Sequence, residues 1–164
     1  MNLAKRVNNP SMPKFILFLA LCICLVTWHY GTLCNPHLES LGDGEFRIFS
    51  RELVHSPLIE NRIATALGFI YITSSQNAHI LRAKFTHIDG ESITLFTPQS
   101  ADQIIRRLGY HVVESSHGSV IRTTYAHSAR GRNFITSDGR RINLQIIERG
   151  NVVTVGWPVV LGGG

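Results

Sequence analysis

Three kinds of side chain in this sequence could carry chemistry: histidines, cysteines and a late cluster of arginines. Seven histidines follow residue 34 (His37, His55, His79, His87, His111, His117 and His127), but none sits in an HExxH helix or at the Cys/His spacing of a zinc site. His79 and His87 share the parity of Leu81 and Phe85; on a strand over 80–88 they would lie ~27 Å apart, too far to share an ion. Neither a metal nor a cofactor is expected. Ser115-Ser116-His117-Gly118 sets a hydroxyl beside an imidazole, the pairing a nucleophile needs. The chain has no GxSxG elbow, however, and this stretch reads as a hairpin turn. Glu52, Glu60, Asp89 and Asp102 fall at exposed or capping positions without a readable acid–base pairing. Gly162-Gly163-Gly164 reads as a tail rather than a phosphate-cradling loop. No catalytic centre is expected.

What remains is binding chemistry. Arg122, Arg130, Arg132, Arg140 and Arg141 cluster within twenty residues, and on neighbouring hairpins they could form one positive face. Guanidinium groups grip carboxylates and phosphates through paired hydrogen bonds, so such a face would suit anionic headgroups, wall polymers or an acidic protein surface. The plainer account is a solvated sheet face with arginines at its turns. Single-stranded nucleic acid is a poorer fit, because only Tyr125 and Phe134 lie among these arginines to stack bases. Trp157, in Val155-Gly156-Trp157-Pro158, is the other candidate. Pro158 donates no ladder bond and belongs at an edge or bulge, where an exposed Trp would dock a partner and a buried one would be core.

The elements that position these groups begin with a hydrophobic run. Phe15 to Trp28 carries no charge, and Lys5, Arg6 and Lys14 precede it, the positive-then-apolar order of a targeting segment. As a helix those fourteen residues span about 21 Å against a hydrocarbon core of ~30 Å. That shortness suits a signal peptide. The lack of an Ala-x-Ala cleavage pattern, together with Trp28 and Tyr30 at the water boundary, suits an uncleaved anchor through residues 15–30. Either places the remainder of the chain outside the cytoplasm: at the cell membrane as a single-pass protein, or secreted. Cys22 and Cys24 lie within the run, which leaves Cys34 as the one thiol outside it, to be free, paired between chains or lipidated, and excludes a disulfide framework. Beyond residue 34, thirteen Lys and Arg face eleven Asp and Glu, a net of +2. The overall charge of +5 is thus weak evidence for a polyanionic partner.

Residues 35–45 read as a linker and 46–161 as one α+β domain. A strand is expected near 46–54. Ser56-Pro57 opens a helix whose face is Ile59, Ile63, Ala66, Leu67 and Ile70. Leu81, Ala83 and Phe85 alternate with Arg82 and Lys84, and Asp89-Gly90 then turns into Ile93 and Leu95, together a hairpin. Ser100-x-x-Gln103 starts a second helix that buries Ile104, Ile105 and Leu108 and ends at Gly109. Strands follow over 112–113, 120–126, 134–137, 142–148 and 152–160, with turns at His117-Gly118, the Arg130-Gly131 region, Asp138-Gly139 and Gly150-Asn151. Ile142, Leu144 and Ile146 alternate with Asn143 and Gln145, one face dry and the other wet. An antiparallel sheet with both helices on one face is the natural packing.

Asn143-Leu144-Gln145-Ile146, with Val153-Thr154-Val155-Gly156-x-Pro158-Val159-Val160, resembles the closing hairpin of the YwmB-like family, exported proteins of spore-forming Gram-positive bacteria. His111-Val112-Val113-Glu114, Val120, Ala126 and Ile135 fit the same spacing. The resemblance spans roughly residues 105–160 and the N-terminal hydrophobic segment. The chain departs from the family in being shorter and in carrying Trp157 where members have something smaller. The resemblance implies a curved antiparallel sheet with two helices on one face, like the TATA-box-binding protein, and an envelope location with a sporulation-related setting. It implies no activity, since the family has none established. The expectation is a non-enzymatic module that binds a protein or envelope partner. An envelope hydrolase and a polyanion-binding or nucleic-acid-binding domain are the alternatives.

Overall fold

Alternation of apolar and polar side chains builds most of this domain. The computed structural model describes residues 36–129, 131 and 133–161. In it, β1 (Gly44–Ser50) buries Phe46, Ile48 and Ser50 on one face and leaves Arg47 and Phe49 half-buried on the other. Then come β2 (Asn61–Thr65), β3 (Gly68–Ser74), helix α1 (Ser75–Arg82), β4 (Gly90–Phe96) and helix α2 (Ala101–Leu108). β5 (His111–His117), β6 (Arg122–His127), β7 (Ile135–Ser137), β8 (Arg140–Ile142), β9 (Leu144–Arg149) and β10 (Val152–Trp157) complete the order.

Eight strands form one sheet in the order β2-β3-β1-β4-β10-β9-β6-β5, antiparallel at every pairing; β7 and β8 form a separate ribbon. The registers align one buried row across the sheet: Thr73, Phe46, Ile93, Val155, Ile146 and Thr124. Ala78 and Leu81 of α1, and Ala101, Ile104 and Ile105 of α2, join that same core, so both helices cover one face. The other face has no helix over it among the described residues. An antiparallel sheet tolerates this because alternate side chains on each strand are polar or half-buried.

The helix α2 follows its local chemistry. Ser100 Oγ accepts from Gln103 N, Gln103 Oε1 accepts from Ser100 N at 2.9 Å, and Gly109 closes the last turn at φ 73°. The two-residue turn Asp138-Gly139 joins β7 to β8 with both residues at positive φ.

Four expectations are corrected. The helix expected from Ser56-Pro57 is a single turn followed by the β2–β3 hairpin. Ser56 Oγ does accept from Leu58 N at 3.3 Å, but Ile63, Thr65, Ile70, Ile72 and Thr73 are β-branched, and Phe69 and Tyr71 are aromatic, so strand pairing prevails. The strand expected over 80–88 is instead the end of α1 and a loop. Leu81 and Phe85 are four apart as well as even-spaced, and three apolar positions cannot separate the two periods. Asp89-Gly90 is consequently not a hairpin turn; β4 begins at Gly90 and pairs with β1 and β10. Asn143, expected on the wet face, is fully buried. Its amide completes the Ser128 backbone where the ribbon leaves the sheet, accepting from Ser128 N at 2.9 Å and donating to Ser128 O at 2.8 Å.

Residues 36–43, expected as linker, contribute a 3-10 turn (Leu38–Leu41) whose Leu38 and Leu41 are in the core. The hydrophobic segment 15–30 and Cys34 lie outside the described residues. Among the described residues no helix is long and apolar enough to cross a membrane.

Candidate functional site

The bare face of the sheet carries a groove of about 440 Å³, a size that suits a small ligand or a partner's side chains. Its floor comes from the alternate positions of four adjacent strands: Arg47 on β1, Thr94 on β4, Thr154 on β10 and Ile147 on β9, with Thr123 on β6 beyond them. Thr94 and Thr154 are register partners, and their hydroxyls lie 3.3 Å apart. Such a ladder offers donors and acceptors without charge, between methyl groups that keep the floor partly apolar.

One wall is the chain after β10. Pro158 to Leu161 folds back onto this face: Val160 N donates to Gln145 Oε1 at 3.0 Å, and Arg47 Nη1 donates to Leu161 O at 2.9 Å. Gly156 makes this possible. A Cβ there would overlap the backbone of Val159 and Val160, so only glycine lets the tail lie this close. Arg149 forms the opposite end beside the Gly150-Asn151 turn. It is exposed and makes no ion pair among the described residues, whereas Arg47 is held by Glu45 at 2.7 Å. Among the described residues, two guanidinium groups and no carboxylate line the groove itself. It can accept an anionic group at the Arg149 end and an apolar body along Ile147 and Val152.

Of the arginines singled out from sequence, Arg122 is not brought together with Arg140 and Arg141. Arg122 points to the core face, where Asp102 (3.3 Å) and Glu148 (3.5 Å) neutralise it and Ser115 Oγ accepts from its Nε. Arg140, on the ribbon, donates to Val113 O at 3.4 Å, and Arg141 lies 4.6 Å over the Phe134 ring. Arg122 stands opposite His117, four residues along β5 from Val113, or about 13 Å. Arg130 and Arg132 lie outside the described residues. Trp157 is 1 % exposed, so in this conformation it packs the core and offers no docking surface. The Ser115–His117 pair exists, at 3.5 Å, but Ser115 also contacts Arg122 and Thr124, and His117 has no carboxylate to orient it among the described residues. Among the described residues no three His, Cys, Asp or Glu side chains converge to hold a metal.

A second polar cluster lies on the helix side. Arg82 donates to both Glu39 oxygens at 2.7 and 2.9 Å, and to both Glu91 oxygens at 2.6 and 2.9 Å. Its guanidinium also lies 5.6 Å from the Phe46 ring centre. Burial alone would raise the Glu39 carboxyl, but the hydrogen bonds and charge of Arg82, with a backbone hydrogen bond and one from His37, together outweigh it and hold it at about 2. Glu91 is fully buried, and that burial pushes it above the usual carboxylate range in spite of Arg82. The cluster staples the 3-10 turn, α1 and β4 together; all four carboxylate oxygens accept from Arg82, which is the arrangement of a structural tie.

The groove was missed at the sequence level because its residues, polar and apolar, come from five different strands and the chain after β10, and no local pattern joins them. Comparison with known protein families, with characterised proteins and with solved structures finds no match.

Proposed function

We propose that this chain is a non-enzymatic module of the cell envelope, exported or membrane-anchored by its N-terminal hydrophobic segment, which binds a protein or anionic envelope partner on the bare face of its sheet. The observation that carries the binding part is the groove: a sheet face with no helix over it among the described residues, carrying a threonine pair, an apolar floor and Arg149, which makes no ion pair among those residues. The location rests on the charge order Lys5, Arg6, Lys14 before Phe15 to Trp28. On this reading the sheet curves as in the TATA-box-binding protein, and the chain is a compressed relative of the YwmB-like family with a sporulation-related role. A polyanion such as nucleic acid is the weaker reading, since no aromatic side chain lines the groove.

Affinity capture from native membranes with the full chain tests the binding part. Arg149→Glu is expected to lower partner recovery about tenfold, the loss of one charge-assisted contact. The double reversal Arg140→Glu, Arg141→Glu is expected to leave recovery unchanged. An unaltered captured set with Arg149→Glu would remove the groove from the proposal. A reporter fused behind Gly164 that works only in the cytosol would remove the location.

A further inference from the structure

The two edges of the eight-stranded sheet are finished differently. At one edge, β5 is interrupted by a bulge between Val112 and Glu114, and Arg140 donates to the Val113 carbonyl there. Both features stop another strand from adding. At the opposite edge, β2 runs in unbroken register with β3, and all five of its residues are exposed. It holds no proline and a single charge, Arg62. Its outer N–H and C=O groups meet no strand among the described residues; the Arg62 N–H is occupied only by the neighbouring Asn61 Oδ1, at 2.8 Å.

We propose that β2 pairs antiparallel with β2 of a second copy of this chain, about a two-fold axis at Ile63, joining two sheets edge to edge. The strand is complementary to itself in that register. Ile63 meets its counterpart, Asn61 meets Thr65 and Arg62 meets Ala64, so all five positions pair and no like charges stand opposite. Any other antiparallel register leaves end residues unpaired. Leu67, 77 % exposed, stands in the hairpin turn that follows this strand. Ile59 and Val54 help line a cavity of about 380 Å³ beside Arg62. The occupant is a second copy, because the strand matches itself in this register: the exposed Ile63 meets Ile63, the polar Asn61 meets Thr65, and the one charge, Arg62, meets the neutral Ala64.

Disulfide trapping in the full chain, detergent-solubilised, with Cys22, Cys24 and Cys34 replaced by Ser, tests the register. Because the Arg62 N–H points outward, Ile63 occupies a close, non-hydrogen-bonded pair with Cα atoms about 4.5 Å apart, within disulfide reach. Ile63→Cys is expected to oxidise to a covalent dimer. Asn61→Cys is expected to stay monomeric alone and to link when mixed with Thr65→Cys. In the cysteine-free chain, light scattering is expected to give twice the monomer mass. Ile63→Glu, which sets two carboxylates face to face on the exposed edge, is expected to return it to one with an unchanged circular dichroism spectrum. An Ile63→Cys chain that stays monomeric, an Asn61→Cys chain that links to itself as readily, or a covalent product with a different protein would each overturn the proposal.

Discussion

Arg82 shows how much one side chain can hold. Its guanidinium makes four hydrogen bonds to two carboxylates, one of them on the fully buried Glu91. Removing it would strand that carboxylate without its cation, and uncompensated buried charge is costly. Arg82→Met is expected to destabilise the fold by about 3–5 kcal/mol in urea titrations. A loss below about 1 kcal/mol, the scale of an exposed pair, would show that the cluster is solvated and not a tie. Arg122, by contrast, divides its charge between Asp102 and Glu148 at 3.3 and 3.5 Å and is 29 % exposed. Its substitution should matter far less.

Between elements, the decisive contact is the return of residues 158–161 over β10. The tail rests where Gly156 has no side chain, and it is tied by Gln145 and Arg47. Gly156→Ala forces backbone apart, because the added carbon meets main-chain atoms of Val159 and Val160 that cannot rotate away. A cost of about 1–3 kcal/mol is expected from this overpacking, together with faster proteolysis within the tail beyond Pro158. Unchanged denaturation and unchanged cleavage would mean that the tail does not pack on the bare face in solution. The groove depends on this strap for one wall, so the same variant is expected to widen it.

For the whole molecule, the paired carboxylates set a pH optimum. Glu39 is held at about 2 against an ordinary 4.5. Its contribution is therefore complete above pH 4.5 and is lost as pH falls toward about 2. Glu91 is raised above 4.5, so its linkage has the opposite sign: stability is greatest below 4.5 and declines as pH rises through the raised value. The two together place the maximum of this cluster's contribution near 4.5. Urea unfolding followed across this range should show both slopes in the natural chain. Glu91→Gln, which still accepts from Arg82, should abolish the alkaline decline and keep the acid loss. An alkaline decline of the same size in the variant would assign it to other groups.

Local chemistry was legible in the amino-acid sequence. Ser100 and Gln103 box the start of α2 and Gly109 ends it, because capping needs only neighbours three residues away. Asp138-Gly139 and Gly150-Asn151 turn the chain because those residue types accept the required backbone angles. The dry parity of Ile142, Leu144 and Ile146 followed from alternation alone. Short apolar stretches with both even and four-residue spacing were misread, 59–70 as a helix and 81–85 as a strand, and are in fact a hairpin and a helix end with its loop. What only tertiary structure decided was which strands are neighbours. The insertion of β1 between β3 and β4, and of β10 between β4 and β9, gathers Arg47, Thr94, Thr154 and Ile147 into one groove, although 102 residues separate the first of them from the groove's Arg149. The same pairing order leaves β2 at the edge. Strand neighbours are chosen by long-range burial of complementary faces, and no single strand's sequence specifies them.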